Sequence, residues 1–383
     1  MKIAYIGDFI NHGKSLVTAG TSIVILLSLL ESVDSIDVYS SEENQKIEEF
    51  ELPSKVRLFQ VYKYDNFPSV LRLLSISWCN YDEVIFNLIP TGFGNASLSN
   101  AIGLFIPIVL VKLRRLRNIK VIYHNSVFTN NVRTLGYNSK FDKFRLFFLK
   151  IVERLLFKNV KTFVLLNLYK HKIDNVLGKN KVQLFRPRYL EAVTTLYINN
   201  LIDAKLLDIP KTDIPIVLMH GYWGPQKNLE LGLSALRSLK ESGINFKLVI
   251  SGGINHHFIA YGKKFQQLLY AYSDIIDEYI GAVTEKEVMK IFLGTDILVL
   301  PYNTPGGRSG VLEQAMFFEV PTISIEFPEY VEQGSSACNI MLTSKDNFCS
   351  SLISLFGSFH KNDSISVYDK ILIAKESIRT LLK

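Results

Sequence analysis

The segment Asp296 to Ile323 reads DILVLPYNTPGGRSGVLEQAMFFEVPTI. Ile297 to Pro301 is a short apolar run that suits a strand buried on both faces. Asn303 to Gly310 is a polar, glycine-rich turn, and Val311 to Phe318 carries apolar residues at helical period. Glu319-Val320-Pro321 breaks that helix, and Thr322 to Ile325 reads as the next strand. A strand, a glycine turn and a helix in this order gather backbone N–H groups and the positive end of a helix dipole at one spot, where a phosphate prefers to sit. Glu313, in the first turns of the helix, suits hydrogen bonds from sugar hydroxyls. On the glycines alone, an ordinary βαβ crossover with a tight turn explains the stretch equally well.

The order of residues says more. Pro301 to Pro321 resembles the donor-site segment of retaining glycosyltransferases with the two-domain GT-B fold, family 4 above all. There a strand ending in Pro is followed by Glu-Gly-x-Gly, a second Glu eight positions after the first, Ala-Met and Gly-x-Pro. Pro301, Gly306, Glu313, Ala315, Met316 and Pro321 stand at the matching spacings. Two departures matter: Pro305 replaces the first Glu, and Glu319 replaces the Gly before Val-Pro. The resemblance implies that Gly306, Gly307, Ser309, Gly310 and Val311 bind a nucleotide-sugar donor, with Glu313 on the ribose and Arg308 near the diphosphate.

Upstream, Ile214 to Met219 opens an α/β set followed by HGYWGPQKNLELGLSALRSLKE. Gly221 to Lys227 resembles the family's Gly-Arg-x-x-x-x-Lys, whose cations neutralise the donor diphosphate. Lys227 matches, whereas Tyr222 stands at the Arg position. Lys227 also lies beside a helix N-terminus, an unfavourable place for a cation unless an anion is close. Gly281 and Val283, in the strand–turn–helix Tyr279 to Phe292, correspond to the turn that reads the nucleobase.

The first half alternates short strands with helices: Lys2–Ile6, Ile36–Tyr39, Val56–Val61, Glu83–Leu88, Val121–His124 and Thr162–Leu166. This rhythm predicts a doubly wound parallel sheet, whose ligands lie beyond the carboxyl ends of its strands. Gly7 to Thr18 reads as a loop, and Ala19-Gly20-Thr21-Ser22 as the start of a helix, with Gly20 allowing close approach of a ligand. His124 falls at a strand end; it is a structural histidine or, as the resemblance implies, a contact to the donor sugar. From Arg186 to Asp213 the rhythm lapses. The expected organisation is α/β with two Rossmann-like doubly wound domains facing a cleft (GT-B). The domains are 1–190 on the acceptor side and 214–383 on the nucleotide-sugar side, with 191–213 as linker. The last helix, about 366–382, crosses back.

The chain of 383 residues is long enough for two cores, and 48% hydrophobic with 21% charged residues describes a folded protein. A net charge of +7 with a pI near 9.0 points to an anionic partner. Two basic stretches stand out. Lys112 to Lys120 holds five Lys/Arg and no acid. Between Lys140 and Lys161, Phe141, Phe144, Phe148, Ile151 and Leu155 recur at helical spacing among Lys143, Arg145, Lys150, Arg154 and Lys158. The aromatic stripe either packs on the sheet or meets an anionic membrane surface. No nucleic-acid-binding motif is present. The three cysteines lack metal spacing, no Asp-x-Asp or His cluster occurs, and the N-terminus already reads as a strand. The expectation is therefore a cytoplasmic protein, peripheral on the inner face of the membrane, with neither cofactor nor metal. The reaction that the resemblance implies moves a sugar, hexosyltransferase fashion and with retention, from a nucleotide diphosphate sugar to a glycan or lipid-linked acceptor. The alternatives are an inactive GT-B partner subunit or a GT-B sugar epimerase.

Overall fold

The computed structural model describes all residues except 8, 10–14, 43–49, 90–91, 94–96, 114–117, 130–141, 211, 256–257, 306, 336 and 359–363. The chain divides into two compact units, Met1–Thr194 with Leu372–Lys383, and Thr195–Ile371.

In the first unit a seven-stranded sheet is built from β1 (Lys2–Ile6), β2 (Ser35–Ser41), β3 (Val56–Tyr62), β4 (Glu83–Leu88), β5 (Ile119–Tyr123), β6 (Lys161–Val164) and β7 (Gln183–Leu184). Their order is β3-β2-β1-β4-β5-β6-β7, with every pairing parallel. Parallel neighbours need crossovers, which cover both sheet faces, and so the central strands are largely apolar. Ile3 to Ile6 in β1 and Val84 to Phe86 in β4 are buried accordingly. The second unit follows the same logic with β9 (Ile216–His220), β10 (Lys247–Ser251), β11 (Glu278–Ile280), β12 (Ile297–Leu300), β13 (Thr322–Ile325) and β14 (Ile340–Thr343). Its order is β11-β10-β9-β12-β13-β14, again parallel. Leu229, Leu233, Leu236 and Leu239 form one buried stripe of the helix Leu229–Glu241 against this core. The helix Glu285–Gly294 starts at a capping box between Thr284 and Glu287. The remaining strands, β8 (Leu206–Asp208) and β15 (Ser364–Ser366), pair antiparallel as a separate ribbon.

Two local expectations are corrected. The first helix runs Ser15–Ser28, so Gly20 lies inside it and not at its start. The apolar period already begins at Leu16 and Val17, ahead of the point where the sequence seemed to turn helical. The stretch where the strand–helix rhythm was expected to lapse holds the helix Leu190–Ile198 and β8. Leu190, Val193 and Leu196 are fully buried there, a short apolar stripe that is easily missed in nine residues. The last helix, Val367–Leu382, follows directly on β15.

Candidate functional site

In the second sheet the chain runs from β9 outward through β10 and β11, then returns to β12 on β9's other side. The strand order reverses between β9 and β12, and open parallel sheets bind ligands at the carboxyl ends of such strands. His220 ends β9 and Gly221 follows it; Pro301 and Tyr302 follow β12. Gly221 has φ 139°, a conformation that glycine adopts without strain. Gly252, after β10, presses so closely on it that a Cβ there would lie 2.0 Å from the Gly221 carbonyl oxygen. Two loop backbones therefore touch at the mouth of the switch point.

Lys227 reaches back to this corner from the turn Pro225–Lys227, just ahead of the helix Leu229–Glu241. Its ammonium lies 3.6 Å from the centroid of the Tyr302 ring, and a Cβ on Gly221 would lie 3.7 Å from Nζ. No hydrogen bond or ion pair of this ammonium is found among the described residues, and burial pulls its pKa down to about 7. The neighbouring His220, bonded through Nδ1 to the Ser251 hydroxyl at 2.8 Å, is held neutral. Burial and the charge of Lys227 lower its pKa to about 4. Tyr222 is pushed up to about 12 by burial and by Glu285.

The turn after Tyr302 is fastened by the helix Pro328–Gly334. Tyr330 donates its hydroxyl to the Pro305 carbonyl at 3.0 Å. Gln333 accepts from the Ser309 N–H at 2.9 Å and donates to the Ser309 carbonyl at 2.8 Å. Ser309 caps the helix Gly310–Phe317 by accepting from the Leu312 N–H. Arg308 does not stand open to an anion in this structure. Its guanidinium pairs with Glu313 at 2.8 Å, both side chains being buried, and Gln333 donates to the same carboxylate oxygen at 3.3 Å. Gly307, with φ 105°, makes the turn that brings them together.

The first sheet has its own switch point, between β1 and β4. Gly7, after β1, packs against Asn87 of β4, whose side-chain oxygen meets His124 Nε2 at 2.6 Å. The loop carrying His124 is tied down by Glu153, fully buried on the helix Asp142–Asn159. Glu153 accepts from the Tyr123 hydroxyl at 2.8 Å, the Ser126 hydroxyl and the Val127 N–H. Burial outweighs these donors and raises its pKa to about 7.

Of the residues singled out by sequence, Gly221, Lys227, Gly281, Val283, Gly307, Arg308, Ser309, Gly310, Val311 and Glu313 belong to the second unit, and Gly20 and His124 to the first. Gly306 lies outside the described residues. The Gly281 carbonyl accepts from the Gly252 N–H at 2.9 Å, so this turn joins the same loop cluster. Sequence reasoning missed Tyr302, Tyr330, Gln333, Asn87 and Glu153. Only Tyr302 lay inside a motif already under scrutiny. Among the described residues, no three His, Cys, Asp or Glu side chains gather in a way that would hold a metal. No described helix is long and apolar enough to cross a membrane.

The helix Asp142–Asn159 divides its apolar residues between two faces. It buries Leu149, Val152, Leu156 and Phe157, and leaves Phe147, Phe148, Ile151 and Leu155 exposed, with Lys150, Arg154 and Lys158 also outward. Phe141 lies outside the described residues, and the side chains of Lys143, Phe144 and Arg145 do too. Residues 114–117 of the other basic stretch are likewise undescribed. Lys120 points inward and pairs with buried Glu83 at 3.1 Å.

Comparison with known proteins follows the same lines. The model of the family "Glycosyl transferases group 1" matches residues 207–339. No curated protein matches the chain's sequence. Among solved structures, sucrose-phosphate synthase from Thermosynechococcus elongatus superposes with a TM-score of 0.62 at 13% identity, over 100% of this chain and 94% of that one. The Anabaena protein Alr3699/HepE, in complex with UDP and glucose, gives 0.61 at 11% identity, over 100% and 94%. UDP-GlcNAc 2-epimerase from Methanocaldococcus jannaschii gives 0.57 at 13% identity, over 100% and 99%. Residues 207–339 thus match the glycosyl transferases group 1 model, in a chain of GT-B fold with two Rossmann-like domains.

Proposed function

We propose that the chain is a glycosyltransferase that moves a sugar, with retention, from a nucleotide diphosphate sugar to a glycan or lipid-linked acceptor. The observation that carries the proposal is the half-buried Lys227 ammonium, which meets no anion among the described residues at the β9–β12 switch point. A cation kept there and at a helix N-terminus is costly unless an anionic ligand completes it. The diphosphate of the donor is such a ligand, and the UDP in the HepE structure supports the choice.

The chemistry follows from that placement. The bond from the anomeric carbon to the diphosphate oxygen breaks, and its electron pair leaves on the diphosphate. Lys227 and the N–H groups of Gly307 and Gly310 stabilise this growing charge. The acceptor hydroxyl oxygen bonds to the anomeric carbon on the face just vacated, and its proton passes to the departing phosphate. Glu313 holds the ribose, and Gly281 and Val283 border the base. Pro305, where the resemblance expects a carboxylate, contributes only its backbone; transfer then relies on the cation and the N–H donors. The exposed Phe147, Phe148, Ile151 and Leu155 among Lys150, Arg154 and Lys158 support an acceptor presented at an anionic membrane surface.

A thermal-shift and turnover panel with UDP, GDP and their sugars tests the reading. A nucleoside diphosphate should raise the melting temperature, and the matched donor should release nucleoside diphosphate only when an acceptor is present. Donor sugars that interconvert without acceptor would favour the epimerase, whose fold the chain shares. Binding without any turnover would favour the inactive partner subunit. Failure of every nucleotide to bind would end the proposal.

A further inference from the structure

Tyr302 follows Pro301 directly, yet no part of the donor-segment pattern accounts for it. The side chain is 3% exposed, and its hydroxyl has no hydrogen-bond partner among the described residues. Buried hydroxyls are nearly always partnered, because losing water without replacement costs folding free energy. The same hydroxyl lies 3.7 Å from the point where a Cβ on Gly221 would stand, the distance at which the Lys227 ammonium also lies from it. A phenol donor and an ammonium thus face one corner, and that corner holds no side chain because Gly221, at φ 139°, is a glycine.

We propose that Tyr302 is a direct ligand of the donor diphosphate, its hydroxyl donating to a phosphate oxygen seated over Gly221 beside Lys227. The proposal rests on the glycosyltransferase reading above and adds a residue to it. Three further observations support it. The ring face holds the ammonium at 3.6 Å by a cation–π contact, which fixes Lys227 without neutralising it. Position 222, where the resemblance expects an arginine, is Tyr222, so the diphosphate lacks a donor that another side chain must supply. Gly221 and Tyr302 follow β9 and β12, the two strands between which the sheet order reverses. One aromatic residue therefore presents its face to the cation and its edge to the anion.

Tyr302→Phe tests this, since it keeps the ring and the cation–π contact and removes only the hydroxyl. Titration calorimetry with UDP, GDP and inorganic pyrophosphate, beside uridine and guanosine, gives the readout. Tyr302→Phe should weaken whichever diphosphate the wild type binds about tenfold, near 1.4 kcal/mol. Nucleoside affinity should stay unchanged, and the melting temperature of the ligand-free protein should hold or rise. Wild-type diphosphate affinity in Tyr302→Phe would overturn the role of Tyr302 and leave the glycosyltransferase reading standing. Equal losses for diphosphate and nucleoside would also overturn it, marking the hydroxyl as structural. A wild type that binds none of the three diphosphates would overturn both.

Discussion

Lys370 donates to the Phe317 carbonyl at 2.5 Å and to the Glu319 carboxylate at 2.7 Å. Phe317 ends the helix Gly310–Phe317, whose last carbonyls have no partner within the helix. Glu319, at φ 53°, occupies the left-handed conformation that a glycine fills in related segments. The lysine thus serves as both C-cap and counter-ion, and it explains how a glutamate is accommodated at this turn.

Removing Lys370 should therefore cost more than restoring glycine. Lys370→Ala strands a buried carbonyl and should destabilise the second unit by about 2–3 kcal/mol. Glu319→Gly loses a partly exposed ion pair but relieves the left-handed strain, so its net effect should lie within about 1 kcal/mol. Urea denaturation of both variants checks the order; a Glu319→Gly loss as large as that of Lys370→Ala would refute it.

Glu313 and Arg308 form a buried pair, and breaking it from one side leaves an uncompensated charge. Glu313→Ala should cost about 3–5 kcal/mol of stability, in addition to any loss of ribose binding. Adding Arg308→Met should recover most of the stability and none of the turnover. Recovery of turnover in the double variant would remove Glu313 from the ribose.

Lys227 makes diphosphate binding proton-linked. With its pKa lowered to about 7, the free lysine is about nine-tenths neutral at pH 8, and an adjacent anion favours its charged form. Binding at pH 8 should take up close to one proton, and at pH 6 almost none. Calorimetry in buffers of differing ionisation enthalpy measures this, and Lys227→Met should abolish the uptake.

Glu153 predicts a slope of stability with pH in the first unit. Its folded pKa, raised to about 7, lies above the ordinary value of 4.5, so the folded state holds a proton that the unfolded state releases. The stabilising contribution is present below about pH 4.5 and is lost as pH rises through 7, by up to roughly 3 kcal/mol. Glu153→Gln should flatten that slope. An unchanged pH profile would show that Glu153 does not titrate there.

The outward stripe of the helix Asp142–Asn159 should bind anionic vesicles. Replacing Lys150, Arg154 and Lys158 by Gln should remove about 1 kcal/mol per charge at low salt. Wild-type binding that ignores salt would point to apolar contact alone.

What sequence could supply was set by range. β12, its glycine turn and its helix are contiguous, so a local pattern located Gly307, Ser309 and Glu313 together. Central parallel strands that are largely apolar also announce themselves. Gln333 lies 24 residues from the Ser309 backbone it holds, and no local period points to it. The Arg308–Glu313 pair was missed for a different reason: two charged residues five positions apart were read separately, each toward a ligand. Gly20 was placed at a helix start because Leu16 and Val17 were counted with the loop. The exposed side of the helix Asp142–Asn159 was undecidable because both of its faces carry apolar residues.

The discontinuity of the first unit bears on how the protein is made. Leu372–Lys383 belongs to that unit but is synthesised only after the whole of Thr195–Ile371. Ala374, Ile378 and Leu381 within it are fully buried. On the ribosome, the second unit therefore has all of its residues while the first still lacks part of its own. The unit begun earliest is completed last, and until then it depends on a half-finished interior to avoid aggregation.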